Sequence, residues 1–429
     1  MMHRSVSSSF GLLLGASLLC ATPACSSSSS EGTPEQTLEV FNWWTNPGET
    51  DAAQAIFTMY EKANPQTHVI NAAVENIDKA QAELQSRMTT GAPPDTFQAI
   101  GGWNLWEWVA FNGKDDTDSK LENVDAIAAA NGLAAVTPQP LLDVVSYNNH
   151  VYSIPIGTHR FNTLFYNKKI FAQYGLTPPT TWDEFYQVGD ALKAQGITPL
   201  AIGAKDGFYV SIVVWDGMLI ARSGVPFRES YFGGTADPAD PAIADTLTEM
   251  TKVFGYTNDD RSTVDWDGAA QEVVDGKAAM TIIGDWAKGF FLSQGWQSGV
   301  DLGAVPTPGT QGTFVYIADS FTLPLGVPDR AAAVTFLNMI ATAKAQDVFN
   351  PIKGAIPTRS DTDISLYDSL AVQAISDFEN STLTRARPVL VKSPAFLADV
   401  DTAMSQFAID LQVDTVVNVM KNRYDELAP

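Results

Sequence analysis

The stretch LEVFNWWTNPGETDAAQAIFTMYEKANPQTHVINAAVENIDKAQAELQSRMTTGAPPDTFQAIGG (38–102) carries the pattern from which the fold class is read. Residues 38–44 have strand character. Residues 50–63 carry a helical period, with Ala52, Ile56, Met59, Tyr60 and Ala63 on one face. Asn64-Pro65 stops that helix, because proline lacks an N–H and restrains the residue before it. A second strand is predicted over 68–74 and a second helix over 77–90, ended by Gly91-Ala92-Pro93-Pro94. A short strand over 95–100 then runs into Gly101-Gly102. Strand–helix–strand–helix–strand predicts the start of a doubly wound α/β domain. In such sheets ligands sit beyond the carboxyl ends of the strands, and Trp43, Trp44 and Gln98 fall there.

A second α/β region begins near His159, with a strand over 161–166. Thr181-Trp182-Asp183-Glu184 reads as a capping box, opening a helix that turns Trp182, Phe185, Val188 and Leu192 inward. Strands are expected over 198–203, 278–283 and 313–318, and helices over 211–221, 242–253, 267–275 and 330–343. From about 366 the chain reads as mostly helical. Trp103, Trp106 and Trp108 read as core or rim, and Asp285 as a possible cap for a helix starting at 287.

The chain has 429 residues, too many for one small core, so two domains are expected. A formal net charge of −23 argues against nucleic acid and anionic membrane surfaces as partners, and favours a neutral or cationic ligand. At the N-terminus, His3 and Arg4 precede an apolar run over 10–21 that is too short to span a bilayer. Thr22-Pro23-Ala24-Cys25 and the serines 26–30 follow, resembling a bacterial lipoprotein processing site with lipid on Cys25 and a flexible leash behind it. Ordinary cleavage without lipid is the alternative. The only cysteines are Cys20 and Cys25, so the mature body has no thiol to serve as nucleophile, disulfide partner or metal ligand. The histidines His3, His68, His150 and His159 show no metal-ligand spacing. No metal and no cofactor is expected.

Two adjacent indoles, Trp43 and Trp44, with Glu49 a short turn on, match the chemistry of a sugar ring. Its C–H face stacks on an aromatic and its hydroxyls donate to an anionic acceptor. The segments FNWWTNPGE (41–49), PPDTFQ (93–98), YSIPIGTHRFNTLFYNKKIF (152–171), PPTTWDEF (178–185), DGKAAMTIIGDWAKGFF (275–291) and NPIKGAIPTRSD (350–361) run in this order. Together they resemble the extracellular solute-binding proteins of carbohydrate ABC importers, with the closest resemblance to bacterial glucose/galactose-binding proteins. The resemblance implies two α/β lobes joined by a hinge that the chain crosses three times, near 157–159, 316–319 and 353–355. Lobe one would be 37–158 with 317–354, and lobe two 159–316 with 355–429. Residues 1–25 would be signal and lipidation site, and 26–36 a linker.

The same resemblance implies that Trp44 stacks on sugar with Trp43 beside it, and that Glu49 accepts from a hydroxyl. It places Gln98, His159, Asp319, Lys353 and Arg387 as polar cleft groups, and Trp266 and Trp286 as rings of the second lobe. Asp319 and Lys353 could share one diol, one accepting and one donating. Two positions depart from the family pattern: Ile100 stands where relatives often carry a polar or basic residue, and Arg387-Pro388 where they often carry a histidine. Both leave the sugar open. The function implied is capture of a neutral monosaccharide by a monomeric periplasmic protein that serves an ABC permease and touches the membrane only through its lipid. A glycoside hydrolase, with Glu49 and Asp319 as its acid pair, and a sugar receptor for signalling are the alternatives.

Overall fold

The computed structural model describes residues 36–111, 115–386 and 394–427. The export signal, Cys25, the serine run and Arg387 lie outside the described residues. The first five elements follow in the predicted order: β1 (Gln36–Asn42), α1 (Glu49–Ala63), β2 (Thr67–Ala73), α2 (Ile77–Thr90) and β3 (Thr96–Ile100). β1 pairs in parallel with both β2 and β3, as strand–helix–strand crossovers require. α1 buries Ala52, Ala53, Ile56, Phe57 and Tyr60. The buried stripe is therefore rotated from the predicted one, which had included Met59 and Ala63. Packing sets the difference: Phe57 and Tyr60 meet Phe336 of the helix Arg330–Ile340, at ring centroids 6.4 and 5.6 Å.

Two sheets form the two lobes of this α/β fold. The first holds six strands. Thr313–Thr322 pairs antiparallel with β3 and with Ser153–Arg160, and parallel with Thr382–Arg385. The second holds four: Leu302–Pro306, Thr163–Asn167, Ala278–Ile282 and Thr198–Ala201, in that order. The chain thus passes from the first sheet to the second between Arg160 and Thr163, and returns between Pro306 and Thr313. Thr382–Arg385, in the range expected to be helical and to belong to lobe two, is a strand of the first sheet. It covers the part of the Thr313–Thr322 edge that β3 leaves open, where backbone donors and acceptors need partners.

In the second lobe the capping box forms as predicted. Thr181 Oγ1 accepts from the Glu184 N–H at 3.2 Å, and the Glu184 carboxylate accepts from the Thr181 N–H at 3.2 Å. The helix Trp182–Lys193 buries Phe185, Val188 and Leu192, with Trp182 only partly covered. The helix expected over 211–221 is more irregular. A short helix, Gly207–Tyr209, runs through a π-helical turn, Val210–Trp215, into Asp216–Phe232, which is interrupted at Gly224. The helix Pro394–Asp410 packs against both the short helix and the π turn.

Candidate functional site

The site begins where β1 ends. Asn42 is fully buried, and its side chain closes the turn: Oδ1 accepts from the Trp44 N–H at 3.0 Å, and Nδ2 donates to Asn71 Oδ1 at 2.8 Å. The Trp43 N–H donates to Gln98 Oε1 at 3.2 Å, tying the turn to β3. Gly48 then opens α1 with a φ of 83°, and its backbone presses so closely on Gly289 that no side chain fits. This puts Glu49 at the first turn of α1. Its carboxylate accepts from Lys353 Nζ at 2.9 Å, and both groups are buried. Lys353 is the last residue of the helix Ala343–Lys353, which Gly354 ends in the left-handed conformation. Glu49 is therefore a direct partner of Lys353.

Asp319, on the central strand Thr313–Thr322, anchors a second polar chain. Gln98 Nε2 donates to its Oδ1 at 3.2 Å, and His159 Nε2 contacts its Oδ2 at 3.2 Å. His159 Nδ1 meets Asp285 Oδ1 at 2.5 Å, and the Arg160 N–H donates to Asp285 Oδ2 at 2.9 Å. Asp285 thus orients His159 instead of capping the helix Ala287–Ser293, which has no side-chain cap. Burial and the Lys353 charge pull the His159 pKa down, but Asp285 and Asp319 outweigh them and hold it above its ordinary value. Burial pushes the Asp319 carboxyl up, but the His159 contact, the Lys353 charge and the Gln98 amide more than offset it and hold it below the usual range. His159 thus bridges two buried carboxylates, Asp285 at Nδ1 and Asp319 at Nε2.

Aromatic rings complete the walls. Trp286 sits edge-on to Trp266 at 6.4 Å and edge-on to His159 at 5.7 Å, and Tyr209 lies 6.2 Å from it. Trp44 is 1% exposed, with its ring held between Phe321 at 5.6 Å and Phe349 at 5.0 Å. It lines the cavity, but most of its surface belongs to the first-lobe core. Trp43 is the half-buried indole of the pair. Phe321 meets the Trp44 ring edge-on and Phe349 meets it at a tilt of 41°. All the predicted site residues among those described line one cavity of about 290 Å³ between the two sheets.

Residues 46–347 match the family described as bacterial extracellular solute-binding protein. The chain belongs to that family. An ABC-transporter extracellular-binding protein of Pyrococcus horikoshii, itself uncharacterised, is 34% identical over 398 residues, spanning 90% of this chain and 88% of the relative. A xylose/arabinose-binding protein of Haloferax volcanii is 27% identical over 409 residues, spanning 91% of this chain and 86% of the relative. The solved structure of a chitin oligosaccharide binding protein superposes with a TM-score of 0.79 at 19% identity, covering 92% of this chain and 99% of that one. The last likeness speaks for the shared two-lobed fold alone.

This solute-binding protein also brings to its cavity residues that sequence reading missed. Asn76, from the loop before α2, and Lys205, Tyr209, Asp265 and Asp267, from the second lobe, all line it. Lys205 Nζ pairs with Asp265 Oδ2 at 2.9 Å, and Asn76 donates to Asp206 Oδ2 at 3.4 Å across the mouth. Burial, ahead of the neighbouring acids, raises the Asp206 carboxyl to about 6. Asp267 carried the one available signal, since it directly follows Trp266.

Proposed function

We propose that this solute-binding protein captures a neutral monosaccharide, with glucose and galactose as first candidates, and hands it to the permease of an ABC importer. The observation that supports this reading is the cavity itself. Flat rings (Trp43, Trp266, Trp286) stand around a cluster of acid, amide, imidazole and ammonium groups. That is the pairing a pyranose requires, C–H faces on aromatics and hydroxyls on fixed polar groups. A volume of about 290 Å³ is at the small end for ligand sites, which favours one sugar ring over a chain of several. The xylose/arabinose-binding relative lends further support to a small sugar. The roles assigned to Glu49, Gln98, His159, Asp319 and Lys353 are polar contacts to the ligand or its immediate scaffold.

In this proposal the lobes close over the sugar about a hinge where the chain changes sheets, near 160–163 and 306–313, and opening releases it to the permease. The mature protein is a periplasmic monomer held to a membrane by lipid on Cys25. Hydrolysis of a glycoside would require a carboxylic acid with a raised pKa opposite a second carboxylate. Glu49 already accepts from Lys353 and the Asp319 carboxyl is held below its usual range, which speaks against this pair as hydrolytic acids. Incubation with a chromogenic glucoside tests this directly: no release is expected. Sustained turnover would replace binding with catalysis as the function.

A further inference from the structure

We propose that Tyr209 is a specificity-determining residue of this cavity, its phenolic hydroxyl donating a hydrogen bond to one hydroxyl of the bound sugar. The inference rests on the sugar-binding reading above and adds a residue to it.

The donors at the centre of the cavity each already serve a carboxylate. The Gln98 amide and the His159 ring serve Asp319, and the Lys353 ammonium serves Glu49. The wall is otherwise rich in carboxylates, with Asp265 and Asp267 joining Glu49 and Asp319. A carboxylate only accepts, whereas a sugar hydroxyl both donates and accepts. An acceptor-rich wall therefore leaves part of the hydrogen bonding of a buried sugar unmet unless a donor is also present. The Tyr209 hydroxyl supplies one: it makes no hydrogen bond to any described residue. Its ring lies 6.2 Å from that of Trp286 with planes at 48°, and both residues line the cavity.

The surroundings keep that hydroxyl protonated. Burial first, and then the charges of Asp206, Glu49, Asp265 and Asp267, hold its pKa well above the usual phenol value. Those acids come from both lobes, so the phenol sits where the two walls approach one another.

The backbone around Tyr209 is built for placement. The residue ends the short helix Gly207–Tyr209 and directly precedes the π-helical turn. Such turns are rare and recur at functional sites, where the wider winding re-aims side chains. Asp206 starts the segment by accepting from the Phe208 N–H at 2.9 Å. On the other side Gly207 meets the helix Pro394–Asp410 so closely that the Asp401 carbonyl fills the space of a Cβ. A side chain fixed from both flanks loses little freedom when it binds.

The test is Tyr209→Phe, which removes one oxygen and keeps the ring. Tryptophan fluorescence titrations with glucose, galactose and their single-deoxy analogues are run on the wild type and the variant. The variant should bind the preferred sugar on the order of 5- to 100-fold more weakly, with the melting temperature of the unliganded protein unchanged. One deoxy analogue should lose a similar factor in the wild type, and little more in the variant, which identifies the sugar hydroxyl concerned. Affinities within twofold of wild type for every sugar bound would overturn the assignment. So would a large fall in the melting temperature of the unliganded variant, because the hydroxyl would then serve the fold. A wild type that binds no sugar is a separate outcome that removes the sugar-binding reading and this assignment with it.

Discussion

At the scale of single residues, the adjacent indoles illustrate how one sequence feature divides into two tasks. Trp44 fills core space against Phe321 and Phe349, whereas Trp43 keeps part of its ring open to the cavity. Trp44→Ala should cost about 3–5 kcal/mol of stability, measured by urea denaturation. Trp43→Ala should cost less than half of that and act mainly on sugar affinity. Lys353→Met should be costly too, about 3–5 kcal/mol, because it strands the buried Glu49 carboxylate without its partner. Adding Glu49→Gln to Lys353→Met should recover more than half of the loss. The His159–Asp319 pair sets a pH dependence whose two sides differ in cause. The His159 pKa is raised on folding, so its contribution is complete below the ordinary imidazole value and is lost as pH rises through the folded value. The Asp319 pKa is lowered, so its contribution is complete above the ordinary carboxyl value and is lost as pH falls through the folded value. Urea midpoints measured against pH should therefore fall on both sides, and His159→Gln should flatten the alkaline limb.

At the scale of elements, placement of the site depends on close backbone approaches. Gly207→Ala puts a methyl group against the Asp401 carbonyl, so the short helix must shift off its neighbour. We expect a loss of about 1–3 kcal/mol together with weaker sugar binding, since Tyr209 moves with it. Calorimetric titration beside a thermal melt would separate the two effects. The same scale shows what the sequence made legible. α1, β2, α2 and the capping box at Thr181 announce themselves by period and by stop signals, and each forms within a residue or two of its expected place. The strand Ser153–Arg160 was not anticipated. All eight of its positions are buried, so no alternation marks it, and Pro155 and Gly157 disguise it further. Thr382–Arg385 is strand only because an edge elsewhere needs covering, which is tertiary information. In the site, Trp43, Gln98, His159 and Asp319 were readable from motifs. Tyr209 and Asp265 were not, because they come from loops and turns with no local signature and meet the others only through the fold.

At the scale of the whole molecule, two sheets share one buried polar seam, formed by His159 and Asp319 of the first sheet and by Asp285 just after the strand Ala278–Ile282 of the second. A ligand held between such lobes binds the native state alone and raises its stability by mass action. At one hundred times the dissociation constant the gain is about 2.7 kcal/mol, shared by the whole two-lobed body rather than by one lobe. The most direct test of the central claim is a thermal melt of the mature protein against glucose, galactose, mannose, xylose and a set of di- and trisaccharides. The melting temperature should rise with at least one monosaccharide, and far less in Trp43→Ala and Asp319→Asn. A rise with oligosaccharides alone, or with none of these sugars, would contradict that claim.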